Sequence, residues 1–332
     1  MSRNGRARIW WYALGALLVV AVAFFAVRGC AFMPWNGSGE GIGVRVTVSR
    51  DFGGEVLKDV SVEVRDSSSA MQALQEVAVV ETSYGGGFID AVNGLVSGYE
   101  GGAESGEKKD WFFYVNGQMA DVGAGEYLPR EGDRLVFDYH CWEYAMFTPT
   151  LVGCFPEPFV NGYREPPESC AVVYAPAWEG EAQELERALG DAGAAACEPR
   201  ELEEGWRPSE GEYAIVIGTV SELEAAPFFA EANGHASRLG MYAFFQDGDM
   251  VIVDARGDEA RRLGSGAGLV EGVGPRLGDG ESALVVTGTD PGGLRAALGL
   301  LLDGGGEGVR PILAVAALAG EGRIEVPAAR EE

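Results

Sequence analysis

Only two imidazoles, His140 and His235, are available for acid–base or metal chemistry in this chain of 332 residues. A serine nucleophile needs a histidine to take its proton, so any Ser-His-Asp set has to recruit one of them. His140 closes a strand-like run beside Cys141, and His235 sits in Asn233-Gly234-His235, which reads as a turn. No Gly-x-Ser-x-Gly elbow is present. Carboxylates are abundant, 51 Asp+Glu against 25 Lys+Arg, so two of them meeting by chance says little about glycoside hydrolysis. Asp247, Asp249 and Asp254 offer at most weak calcium ligation, without EF-hand spacing. No catalytic residue, cofactor or metal site is expected, and an extracellular hydrolase ranks third among the functional readings.

Five cysteines carry the remaining reactive side chains. No Cys-x-x-Cys occurs, which with two histidines argues against zinc. Cys30 stands apart near the N-terminus, leaving Cys141, Cys154, Cys170 and Cys197. In an exported protein these can form disulfides, and four cysteines allow three pairings. Cys141–Cys154 is the most local pairing, and Cys170–Cys197 would then staple the second half. The alternative is that some are small buried thiols.

Two glycine-rich loops invite a phosphate-binding reading. Thr287-Gly288-Thr289-Asp290-Pro291-Gly292-Gly293 joins an apolar strand to a helix, and a helix N-terminus can cradle an anion. It lacks Gly-Lys-Ser/Thr, and Asp290 would repel phosphate, so a capped strand-to-helix turn is the better reading. Gly264-Ser265-Gly266-Ala267-Gly268 has Leu269 where a third glycine would be needed, and reads as a mobile loop.

A ligand is better served by Trp111-Phe112-Phe113-Tyr114-Val115. In a strand, Trp111, Phe113 and Val115 share one face and Phe112 and Tyr114 the other. If one face is core and the other open, Phe112 and Tyr114 form an aromatic platform for a flat ligand. If both faces are covered, the run is structural.

The elements that position these residues begin with an apolar run from Ile9 to Val27, after Arg3, Arg6 and Arg8 and before Arg28. About twenty such residues cross a bilayer, and the leading arginines put the N-terminus in the cytoplasm. Trp10, Trp11 and Tyr12 sit at interfacial depth. We therefore expect a cytoplasmic tail at 1–8, a single-pass transmembrane helix at 9–28 and a flexible Gly/Ser-rich stalk at 29–43. The bulk of the chain lies outside the cytoplasm, at the cell membrane. The alternatives are a cleaved signal and a lipoprotein signal acylated at Cys30. The net charge is −26, and since residues 1–30 hold four Arg and no acid, the remainder carries −30. So acidic an exterior is a poor match for nucleic acid.

After the stalk, Val44-Arg45-Val46-Thr47-Val48 and Val60-Ser61-Val62-Glu63-Val64 alternate as strands around a Gly53-Gly54 turn. Ser67-Ser68-Ser69 offers caps for a helix carrying Met71, Leu74 and Val77. Further strands follow at Gly87–Ile89, at Trp111–Val115 before the tight turn Asn116-Gly117, and at Leu135–Tyr139. Residues 141–168 hold five prolines and read as an ordered connector, packed through Trp142, Tyr144, Phe147 and Phe155. From 169 to 327 strands alternate with helices (Ala171–Tyr174, Glu179–Leu189, Ala194–Cys197, Tyr213–Gly218, Ala225–Ala232, Ala283–Thr289, then a helix from Asp290-Pro291), with a hairpin around Gln246–Asp249. This predicts an α/β domain with a mostly parallel sheet. The fold class is α+β overall.

The run Asp110-Trp111-Phe112-Phe113-Tyr114-Val115-Asn116-Gly117, then Gly123, Tyr127 and Glu131-Gly132-Asp133 before a closing strand, resembles the C-terminal β-grasp domain of transcobalamin and intrinsic factor. Bacterial surface proteins of undefined function share that resemblance. It covers about 44–140, and implies a β-grasp fold there. In the animal members the domain closes over cobalamin beside a much larger α-helical domain, which has no counterpart here. The resemblance makes Trp111, Phe112, Tyr114, Asn116 and Tyr127 the candidate ligand contacts. The expected function is a membrane-anchored extracytoplasmic binding protein that captures a small molecule, such as a corrinoid, in support of an uptake system. The runner-up is a surface protein–protein or cell-wall interaction module with no small ligand.

Overall fold

A strand that alternates Val44, Val46 and Val48 with Arg45, Thr47 and Ser49 must put its valines on one side of a sheet, and all three are buried. A computed structural model of the chain describes residues 41–84, 87–98, 108–194, 197–209, 211–274, 283–304, 310–318 and 322–330. The expected tail, membrane helix and Cys30 lie outside the described residues. Among the described residues no helix is long and apolar enough to cross a membrane.

Strand β1 (Gly41–Arg50) pairs antiparallel with β2 (Glu55–Arg65). The stalk expected at 29–43 therefore overruns: Gly41–Gly43 pair with Arg65–Glu63, and the Gly43 N–H donates to Glu131 Oε2 at 2.6 Å. Helix α1 (Ala70–Gln75) follows. Its first turn is closed reciprocally, since Gln72 N–H donates to the Ser69 hydroxyl and Ser69 N–H to Gln72 Oε1. A small antiparallel sheet comes next: β3 (Val80–Ser83), β4 (Phe88–Val92) and β5 (Leu95–Val96). Then β6 (Lys109–Val115) turns at Asn116-Gly117 into β7 (Gln118–Met119), and β8 (Arg134–Cys141) closes the unit. The large sheet has the order β2-β1-β8-β6-β7, with β1 and β8 parallel at its centre. Met71 and Leu74 of α1 pack on the face made by Val44, Val46, Trp111, Phe113, Leu135 and Phe137. Fully burying one such side chain contributes about 1.5–3 kcal/mol.

The second half builds a seven-stranded sheet. β9 (Cys170–Tyr174), β10 (Cys197–Glu201), β11 (Tyr213–Ile217) and β16 (Ala283–Gly288) run parallel in the order β10-β9-β11-β16. β15 (Ala267–Val273), β17 (Ala314–Leu318) and β18 (Gly322–Val326) complete it antiparallel. The mostly parallel expectation is thus corrected to a mixed sheet. The cause is connectivity: β15 arrives from an antiparallel meander, β12 (Ala243–Gln246), β13 (Asp249–Val253) and β14 (Glu259–Leu263), and β18 begins only a few residues after β17 ends. Neither link is the helical crossover that a parallel neighbour requires. The expected mobile loop at 264–268 is corrected as well, since Ala267 and Gly268 already lie in fully buried β15.

Helices α2 (Glu179–Asp191) and α5 (Pro291–Gly304) cover one face of this sheet through Leu185, Leu189, Leu294 and Leu298. Helix α5 approaches by backbone contact: a Cβ at Gly293 would lie 2.1 Å from the Ala267 carbonyl oxygen. Short helices α3 (Val220–Leu223) and α4 (Pro227–Gly234) serve the other face.

One apolar cluster runs through both halves, joining Phe52, Tyr114 and Val136 to Leu151, Tyr242, Met250 and Val285. The connector lies within it, although Phe147, expected to pack, is 46% exposed. The halves touch closely at the β1–β2 turn, where a Cβ on Gly53 would come within 2.3 Å of the Pro311 carbonyl oxygen. Gly41–Glu332 accordingly forms one compact unit.

Cys170 and Cys197 are disulfide-bonded across the β9–β10 pair, their Cα atoms 4.4 Å apart. The Cys141–Cys154 expectation is corrected: both are buried free thiols. Cys141 pairs with Lys109 at one end of β6, whereas Cys154 abuts Gly117 beyond its other end. The strand length between them, on the order of 20 Å, rules out a bond.

Candidate functional site

The aromatic strand supplies an anchor rather than an open platform. Trp111 is buried and donates from Nε1 to the Leu95 carbonyl at 3.1 Å. Tyr114 is fully buried, its hydroxyl 2.5 Å from Thr148 Oγ1 of the connector. Burial pushes its phenol well above the usual tyrosine range. Phe112 is half-buried and stacks on His140 at 4.1 Å. The platform expected of Phe112 and Tyr114 does not form, because the connector and the second half cover that face.

Asn116 and Tyr127 do come together, on Asp133. Asn116 Nδ2 donates to Asp133 Oδ1 and to the Gly162 carbonyl, at 2.9 and 2.7 Å. The Tyr127 hydroxyl lies 2.6 Å from the Tyr163 carbonyl and 3.1 Å from Asp133 Oδ2, its one proton shared between the two acceptors. Arg130 adds an ion pair to Asp133 at 3.2 Å. Desolvation, then the Asp133 charge, raises the Tyr127 phenol. All three hubs are buried, so this network ties the connector to the β6–β7 and β8 turns. Asn116 and Gly117 both have positive φ, 49° and 77°, as a tight hairpin turn demands.

Sequence spacing gave no hint of a second polar cluster. Asp138 accepts from Ser49 Oγ at 2.6 Å, from the Phe52 and Gly53 amides at 3.0 and 2.9 Å, and lies 2.7 Å from His140 Nδ1. The imidazole is held between Phe52 and Phe112, with centroids at 4.3 and 4.1 Å. Ser49 bonds to the aspartate and not to the histidine, so this is not the order of a catalytic triad. It holds the β1–β2 turn, where Asp51 and Phe52 adopt φ of 55° and 59°. His235 is exposed at the end of α4.

The Thr287–Gly293 loop is filled by its own carboxylate. Asp290 Oδ1 accepts from the Gly292 and Gly293 amides, both at 2.9 Å, and Oδ2 from Ser265 Oγ and Gly266 N. These bonds, led by Ser265, lower the Asp290 carboxyl. Asp247 and Asp254 lie beyond opposite ends of β13. Among the described residues no group of three metal-type side chains converges.

Glu271, on β15, is fully buried with no cation as partner among the hydrogen bonds it makes; it accepts from the Tyr242 amide at 2.7 Å. Burial pushes its carboxyl up to about 8.

A cleft large enough for a small molecule lies elsewhere among the described residues. It has a volume of about 780 Å³ and is bounded by three separate stretches: the β1–β2 turn, the β13–β14 turn and β18 with the residues after it. Phe52, Ile324, Val326 and Ala328 give apolar wall; Arg256, Arg261, Arg323 and Arg330 give charge. Phe52 joins the cleft to the His140–Asp138 cluster beneath it.

Comparison with known proteins bears on the first half. A family profile described as "Domain of unknown function (DUF4430)" matches residues 67–141. Haptocorrin in complex with Cbi is similar over 32% of this chain and 26% of its own, at 20% identity and a TM-score of 0.26. A Ruminococcus gnavus protein provisionally described as metal binding is similar over 30% of this chain and 97% of its own, at 16% identity and a TM-score of 0.23. The chain thus spans about a quarter of the haptocorrin chain. Likenesses this slight carry no functional weight. No curated protein matches the sequence.

Proposed function

We propose that this chain is a non-enzymatic binding protein that holds a small molecule in the cleft between the β1–β2 turn and β18. The observation that carries the reading is the cleft itself. Its volume of about 780 Å³ falls within the range of small-molecule sites, and mixed apolar and charged walls are the usual lining. The order of hairpin, helix and closing strand parallel to β1 supports a β-grasp reading of residues 41–141. In this reading that domain contributes the β1–β2 turn to the site rather than its aromatic strand. The apolar run at 9–28 holds the unit at the outer face of a membrane, where capture would serve uptake. A corrinoid is the ligand that the sequence resemblance suggests.

The test is calorimetric titration of the full chain in mild detergent with cobalamin and cobinamide, repeated with Ala329→Trp. Ala329 is an exposed lining residue, so the indole fills the cleft without disturbing the core. Heat that disappears in the variant supports the site. No heat and no thermal shift at millimolar ligand overturns the corrinoid version, and heat unchanged by Ala329→Trp overturns the location.

A second reading, a surface interaction module, is favoured by one observation: the face of Phe112 and Tyr114 is already covered by the connector. A pull-down partner whose binding ignores Ala329→Trp would support it.

A further inference from the structure

Arginine is concentrated at the cleft in a chain whose net charge is −26. The lysines, Lys58, Lys108 and Lys109, all lie away from it, so its cationic lining is entirely guanidinium, the group suited to two-point recognition of carboxylate and phosphate.

The acids nearby are mostly engaged. Glu325 pairs with Arg310. Asp254 Oδ1 accepts from the Arg256 and Asp258 amides at 2.9 and 3.0 Å, which closes the β13–β14 turn. Asp258 takes Arg330 at 3.0 Å. Asp51 lies 3.7 Å from Arg50. Arg323 differs: among the described residues its guanidinium makes no hydrogen bond and no ion pair. Partial desolvation, with the Arg310 charge second, pulls it below the usual arginine range. An arginine set beside another cation, without a carboxylate, is relieved by an incoming anion.

Resting on the cleft reading above, we infer that the ligand is a small organic oxyanion held in this cleft, its carboxylate or phosphate taken by Arg323 of β18. The acidic remainder of the chain repels anions at long range, so only a short-range contact of this kind can hold one. Affinity must therefore be set at contact with Arg323, and added salt, by screening the long-range repulsion, eases approach of the anion while weakening the contact itself.

The probes are benzoate, phenyl phosphate and neutral benzamide, titrated into the full chain by calorimetry. They are repeated with Arg323→Gln, Arg323→Lys, Ala329→Trp and, as a distant control, Arg164→Gln. The expected result is one bound benzoate or phenyl phosphate per chain at millimolar strength, and no benzamide. Arg323→Gln weakens the anion by about tenfold, Arg323→Lys by less, Ala329→Trp abolishes it and Arg164→Gln leaves it unchanged. Which of the two anions binds more tightly separates carboxylate from phosphate. Unchanged thermal midpoints show that the variants fold, as substitution of an exposed strand residue should allow. Benzamide bound as tightly as benzoate, and displaced by Ala329→Trp, overturns the anion inference and leaves the cleft standing. Anion binding indifferent to Arg323→Gln also overturns it. No binding by any probe overturns both.

Discussion

Glu271 should make this protein lose stability as pH rises. Its carboxyl is fully buried, and burial raises it from 4.5 to about 8. Between those values the folded chain keeps a proton on Glu271 that the unfolded chain has released. Stability then falls with rising pH by about 1.4 kcal/mol per unit. The contribution is intact below about pH 4.5, declines through the neutral range, and levels off above about pH 8. The whole fall is on the order of 3–5 kcal/mol, a large share of a typical domain's stability. Glu271→Gln removes the proton while keeping the shape. It loses part of the acceptor set that takes the Tyr242 and Ala243 amides, which adds an offset independent of pH. The readout is therefore the slope. Urea unfolding of both chains from pH 5 to 7.5 should show the stability difference, variant minus parent, growing by about 1.4 kcal/mol per pH unit. Parallel pH profiles would refute the reasoning. Tyr144, whose phenol burial and the nearby Glu271 push up to about 12, does not titrate in this window.

Breaking the β9–β10 disulfide with Cys170→Ala should cost about 3–4 kcal/mol, because the bond closes a separation of 27 residues; guanidinium unfolding with and without reductant measures it, and a reductant-insensitive parent would contradict the assignment. Asp138→Ala strips the acceptor from Ser49, His140 and the Phe52 and Gly53 amides. Orphaning those buried donors should cost at least about 3 kcal/mol, read as a lower thermal midpoint, with faster amide exchange at Phe52 and Gly53. A midpoint within a degree or two of the parent would show that the cluster does not hold the turn.

Much of the first half was legible because its signals are local. Val44–Val48 and Val60–Val64 alternate with period two, Ser69 and Gln72 form a cap within three residues, and Asn116-Gly117 suits positive φ wherever it occurs. Asp290 capped α5 as its position before Pro291 required. Strands β15 and β17 were not legible. Ala267–Val273 contains two glycines and a glutamate, and Ala314–Leu318 is mostly alanine, so neither has strong strand propensity. They are strands because neighbours on both sides supply hydrogen bonds, and Gly268 is small because α5 needs backbone contact there.

By itself the sequence determined the alternation, the caps, the tight turns, the acidic balance and the apolar run at 9–28, each set by residues a few positions apart. Tertiary structure alone decided that the aromatic strand is covered, that Cys141 and Cys154 lie a strand length apart, and that Phe52, Arg256 and Arg323 wall one cleft. Those residues come from opposite ends of the chain, and no spacing along a sequence encodes a contact that only sheet order and packing create.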